Sequence, residues 1–121
     1  MLTIPFREQS FFREQIQLTG VLYFLTFNWN ALNEFWSMEI ADSNEITLIA
    51  GIKIVPDYPL LAAYSVNGQP AGEIICQNVV NAPDEIGRFG MSQKFELVYF
   101  EPNELETLIN AAIAEDSNSE V

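Results

Sequence analysis

Apolar and polar residues alternate with a period of two along most of the chain, which predicts strands with one buried face. Within residues 11–18, Phe12, Ile16 and Leu18 share one parity, and Phe11, Arg13, Gln15 and Gln17 the other. Thr19-Gly20 predicts a tight turn. Residues 21–29 then place Val21, Tyr23, Leu25, Phe27 and Trp29 on one face, with Leu22 and Phe24 apolar on the other, so the first half of this strand is expected to be covered on both sides. After a turn at Asn30-Ala31-Leu32-Asn33, residues 35–41 alternate Trp36, Met38 and Ile40 against Ser37 and Glu39. Asp42-Ser43-Asn44 is a turn of the side-chain-bonded kind. Residues 45–55 put Ile46, Leu48, Ala50, Ile52 and Ile54 on one face and Glu45, Thr47 and Lys53 on the other. The connections are too short for crossover helices, so the last three of these segments, 21–29, 35–41 and 45–55, predict an antiparallel meander. Gly51 in mid-strand predicts a bulge or a close backbone approach, and a bulge helps a small sheet curl.

Pro56 and Pro59 end that run, because proline cannot donate to a central ladder. Residues 60–64 fit a helical turn or a strand equally. Asn67-Gly68 is a turn signal. Residues 72–78 read as a short strand around Ile74, Ile75 and Cys76, residues 79–92 as loop, and residues 93–100 as a late strand with Phe95, Leu97 and Tyr99 on one parity. The period then changes. Leu105, Leu108, Ile109, Ala112 and Ile113 form one helical stripe, and Asn103 with Glu106 has capping-box spacing. The fold class is therefore mainly β, a small antiparallel β-barrel or sandwich of about six to eight strands with a C-terminal α-helix. Its expected organisation is an antiparallel β domain over 1–102, an amphipathic helix of the same domain over 103–115, centred on residues 104–114, and a frayed acidic tail over 116–121. The stripe can pack on its own sheet or on another subunit.

Composition narrows the chemistry. The chain has 121 residues, one cysteine, no histidine, and 17 acidic side chains against 5 basic ones. That length fits one domain, and 49% hydrophobic residues exclude disorder for most of it. A lone Cys76 cannot make an intrachain disulfide, so no disulfide framework is expected. Without histidine there is no His-Cys zinc site and no Ser-His or Cys-His nucleophile. A net charge of −12 repels phosphate backbones, so nucleic acid is not an expected partner. The first twelve residues lack a signal-peptide pattern, and the apolar runs at 21–27 and 46–55 fall short of the roughly 20 residues needed to span a bilayer. No membrane insertion is expected, and a reducing cytoplasm suits the single thiol. Much of the charge sits late: seven carboxylates follow Glu96 inclusive, with no Lys or Arg after Lys94.

Individual candidates resolve into plain readings. Glu39 lies near Asp42 and Glu45, but 17 carboxylates make chance neighbours common. Asp42-Ser43-Asn44-Glu45 has the start of a calcium loop without its glycine and distant bidentate glutamate, and reads as a turn. Cys76 in an apolar strand reads as a buried structural thiol. Gly87 and Gly90 flank Arg88 and Phe89 without the lysine or strand-loop-helix order of a phosphate cradle. No catalytic, metal or cofactor-binding residue is expected, and no cofactor. Tyr58, Pro59, Leu60 and Leu61 break the alternation between two prolines; they either plug one end of a barrel or form a partner contact surface.

Several motifs then fall in a recognisable order. An aromatic segment ends in Trp29-Asn30, and a Trp-x-x-x-Ile strand follows at Trp36 to Ile40. A block of the form Leu-x-Ala-Gly-x-x-Leu/Ile-Val-x-x-x-x-Leu-Leu reads here Leu48-Ile49-Ala50-Gly51-Ile52-Lys53-Ile54-Val55-Pro56-Asp57-Tyr58-Pro59-Leu60-Leu61. Pro70-Ala71-Gly72, an apolar strand over 73–76, Pro83-Asp84-Glu85-Ile86-Gly87 and Leu97-Val98-Tyr99-Phe100 complete the series. On these motifs, over about residues 11–101, the chain resembles the baseplate plug proteins of contractile-tailed phages, first recognised in a cyanophage. The C-terminal helix and acidic tail depart from that pattern. The resemblance implies a non-enzymatic structural part of a phage or prophage tail baseplate, near its hub, with no catalytic residues to carry over. It implies a place in the virion tail, with assembly in the host cytoplasm. Other baseplate or hub, tail-tube or tape-measure proteins would be its partners, with a homo-oligomer also compatible. The alternative is a small β-barrel module binding a peptide, sugar or apolar ligand, which requires a lined cavity of a few hundred cubic ångströms.

Overall fold

The computed structural model describes residues 1–79, 86–91 and 94–106. Among these residues seven strands form two antiparallel sheets: β1 (Leu2–Thr3), β2 (Phe11–Leu18), β3 (Val21–Asn30), β4 (Phe35–Ala41), β5 (Thr47–Lys53), β6 (Glu73–Asn78) and β7 (Phe95–Phe100). One sheet runs β2-β3-β4-β5 as a meander, and the other runs β1-β7-β6. Of the two architectures compatible with the sequence, the chain adopts the sandwich-like one, because the two sheets stay separate rather than closing into a barrel. The period-two segments at 11–18 and 35–41 coincide with β2 and β4. Thr19 and Gly20 both have positive φ, the requirement of a two-residue hairpin whose twist matches its strands.

The two sheets close on one core. Phe12, Leu18, Tyr23, Leu25, Phe27, Trp36, Met38 and Ile40 enter it from the meander, and Ile74, Cys76, Phe95, Leu97 and Tyr99 from the smaller sheet. At one end Phe6, on the link from β1 to β2, sets its ring edge-on against Phe12, Phe27 and Trp36, with centroids 4.7–5.0 Å away. At the other end Tyr99 Oη accepts from the Gly72 N–H at 2.7 Å and lies 2.6 Å from Thr19 Oγ1, which donates to Glu101 at 2.7 Å. That chain of polar contacts ties the β2–β3 turn to the entry of β6. A Cβ at Gly72 would meet the Phe100 carbonyl and the Tyr99 ring, so only glycine fits there.

Two sequence expectations change. The face assigned to residues 45–55 holds only in its second half. Ile52 and Ile54 are buried, but inward burial then moves to Ile49, while Ile46 and Ala50 are exposed. The register explains the switch. Met38 faces Ile52 and Ile40 faces Ile49, so two steps on β4 match three on β5; Ile40 to Ala41 then matches Ile49 to Thr47, a second extra residue. Each bulge reverses the parity, and Gly51, at φ 71°, supplies the left-handed backbone at the first. The helix also begins earlier than its predicted cap. Residues 102–106 are helical, Leu105 N–H bonds to the Glu101 carbonyl, and Glu104 Oε1 accepts from the Glu101 N–H at 2.9 Å. Glu101 is thus the cap, Pro102 takes the first position, and Glu104 plays the reciprocal role assigned to Glu106. The remainder of the predicted stripe and the acidic tail lie outside the described residues, as do Asp84 and Glu85.

Candidate interaction surfaces

The segment around Tyr58 follows from the need to cover an edge. β6 ends its sheet and would present bare C=O groups at Ile74 and Cys76. Asp57 N–H bonds to the Cys76 carbonyl at 2.8 Å and Leu60 N–H to the Ile74 carbonyl at 3.0 Å, with bridges from Pro56 to Cys76 and Pro59 to Ile75. The prolines lack the N–H they would otherwise leave unpaired, so they suit an edge cover. Residues 60–64 resolve as turns, with Ala62 N–H to the Pro59 carbonyl and Tyr64 N–H to the Leu61 carbonyl.

This placement divides the four residues singled out from sequence. Leu60 and Leu61 are 4% and 2% exposed and belong to the core, which corrects the expectation of an apolar surface at those two positions. Tyr58 is 53% exposed and Pro59 is exposed. Glu73 locks the arrangement: its buried carboxylate accepts from Leu61 N–H at 2.6 Å and from its neighbour Ile74 N–H at 2.9 Å. Burial pushes the Glu73 carboxyl above the usual glutamate range, while those two N–H groups pull the other way.

The other chemistry candidates are taken up locally. Asp42 Oδ1 accepts from Asn44 and Ile46 N–H at 2.9 and 3.0 Å, capping its own turn. Glu39 accepts from Thr47, and Glu45 pairs with Arg13 at 2.8 Å. Among the described residues no three His, Cys, Asp or Glu gather as a metal-holding group. The Cys76 thiol is fully buried, and burial with the Asp57 carboxylate pushes it up to about 12. Arg88 lies over the rings of Trp36 and Phe89. Beside it, Trp29, Phe35, Trp36, Lys53, Ile54 and Pro56 line an open cleft of about 180 Å³, below the roughly 300–1,000 Å³ of small-molecule sites.

The meander's first strand is a surface that sequence reasoning passed over. Trp29 N–H bonds to the Ser10 carbonyl, and Phe11 faces Asn28 in the same register. The alternation of an antiparallel ladder then turns the backbone groups of Phe12, Glu14, Ile16 and Leu18 toward β3 and those of Phe11, Arg13, Gln15 and Gln17 away from it. β2 is the edge of its sheet, runs eight residues without bulge or proline, and among the described residues has no strand or loop bonded to its outer side. Glu14 shares the inward parity of Phe12 and Ile16; that parity is the signal that could have marked it. Its Oε1 is buried without a hydrogen-bond partner. Burial pushes its carboxyl above the usual range, with Arg7 opposing the shift from beyond ion-pair distance.

A family model described as cyanophage baseplate Pam3 plug gp18 matches residues 1–102. The chain belongs to this baseplate plug family. The matched range spans the seven strands seen among the described residues, β1 included. Membership makes it a structural phage baseplate protein. No curated protein matches the chain.

Proposed function

We propose that the chain is a non-enzymatic plug of a contractile phage or prophage tail baseplate, seated near the hub and acting by protein–protein assembly. Membership of the baseplate plug family over 1–102 carries this reading. It is supported by the fate of the candidate groups: Asp42, Glu39, Glu45 and Glu73 hold turns, strands and an edge cover in place. Hub, tail-tube or tape-measure proteins are the proposed partners, in the virion tail after assembly in the host cytoplasm. Tyr58 and Pro59 are proposed contact residues, and the acidic surface steers approach to basic neighbours more than it holds them. The small open cleft disfavours the alternative of a ligand-binding barrel.

The deciding experiment deletes the coding sequence from the phage or prophage and compares purified tails by electron microscopy. Loss of axial baseplate density, restored by the wild-type chain, is the expected result. Tails of unchanged composition and infectivity would overturn the reading.

A further inference from the structure

The four sheet edges of this sandwich are treated differently. β1 is two residues long, β5 is broken by two bulges, and β6 is covered by the segment carrying Pro56 and Pro59. Short length, bulges and prolines blunt edges against added strands, and so does an inward-pointing charge; that last device is the one β2 carries, at Glu14, and it turns away strands that bring no cation. β2 alone among the described strands is long, regular and bare, with the N–H and C=O groups of Phe11, Arg13, Gln15 and Gln17 turned outward. An added antiparallel strand would find four evenly placed residues to bond.

The charge beside that edge is equally specific. Glu14 sits in mid-strand on the inward face with one carboxylate oxygen buried and unpartnered. A buried acceptor left without a hydrogen bond is destabilising, more so when charged. On the outer side of β2 Glu14 falls at a position between the hydrogen-bonding residues, where the opposing side chain of an antiparallel neighbour comes closest. A cation there would lie on the same face as the Glu14 carboxylate, and a chain of net charge −12 favours a partner that brings one. Pairing two copies about an axis through Glu14 would instead set two carboxylates face to face.

We propose that the bare edge of β2 receives an extended segment of another baseplate protein as an added antiparallel strand, with a Lys or Arg of that segment opposite Glu14. The proposal rests on the chain being an assembly part, and it names where and with what chemistry a neighbour docks. Strand addition supplies affinity through main-chain bonds, and the alternate side chains supply specificity.

The test co-expresses the full chain with the hub, tail-tube and tape-measure proteins of the same tail and follows hydrogen exchange of residues 11–18 in the free chain and in the purified assembly. The segment should be protected at least tenfold further in the assembly. Gln15→Pro removes an N–H that β3 does not use, and Glu14→Lys sets a cation against the partner's cation. Each should lower recovery in the assembly at least tenfold while the free chain still melts cooperatively; if Gln15→Pro fails to fold, Glu14→Lys decides. Unchanged exchange in the assembly, or normal assembly of both variants, overturns the edge while leaving the plug reading intact. A wild-type chain that enters no assembly overturns both. A concentration-dependent dimer of the free chain, abolished by Gln15→Pro, puts a second copy on the edge and overturns the assigned partner.

Discussion

The edges of β6 and β2 show how poorly a sticky-looking sequence reports a sticky surface. Tyr58-Pro59-Leu60-Leu61 is apolar and breaks the strand alternation, yet it seals β6, and its two leucines are core residues. The first strand of the meander, β2, is half polar and carries Arg13, Glu14, Gln15 and Gln17, yet among the described residues nothing bonds to its outer backbone. The covered edge spends its apolar side chains on stability. The bare edge keeps its hydrogen-bonding capacity available.

The largest effect expected on this contrast comes from emptying the cover. Leu61→Ala should lower unfolding free energy in denaturant by about 2–5 kcal/mol, as for other buried leucines. A loss under about 1 kcal/mol would mean that the cover is not seated in the core. Tyr99→Phe comes next. It strands the Gly72 N–H at the entry of β6 and breaks the link to Thr19, for an expected loss of about 1–3 kcal/mol in the same assay.

The buried carboxylate under the cover gives a signed pH effect. Glu73 has a folded pKa raised above its ordinary 4.5. Its favourable contribution is therefore fully present below the unfolded pKa and is lost as pH rises through the folded value. Glu73→Gln keeps an acceptor for the Leu61 N–H without the charge. Its stability relative to wild type should rise as pH increases from about 4 toward 8, read from denaturation midpoints, and a flat difference across that window would refute the assignment. Glu14, raised in the same direction on the bare edge, should give a parallel trend with Glu14→Gln. The smallest effect belongs to the exposed part of the cover: Tyr58→Ser should leave stability within about 0.5 kcal/mol. Tyr58→Glu should nevertheless reduce incorporation into purified baseplates, and unchanged incorporation would remove Tyr58 from the proposed contact.

Local pattern was enough for much of the fold. Alternation located β2 and β4 to the residue, and Thr19-Gly20, Asp42 and Asn67-Gly68 turned where their chemistry demanded. Those outcomes depend on backbone preference and on neighbours a few residues away. The face switch in β5 was only half legible: Gly51 announced an irregularity, but the direction of each side chain depended on how β4 and β5 came into register. β1 went unread because two residues carry no period; pairing with β7 creates it. The motif series that signalled the baseplate plug family lay in the sequence, and so did the absence of histidine.

Only the tertiary structure decided which apolar residues are surface, which edge is sealed, and that Glu14 holds an unpartnered oxygen inside. The reason is physical. Periodicity is a property of a segment by itself, whereas burial and edge coverage depend on which distant segment folds across it. Residues 56–60 reach β6, while no described segment reaches the outer side of β2, a choice that no window of neighbouring residues contains.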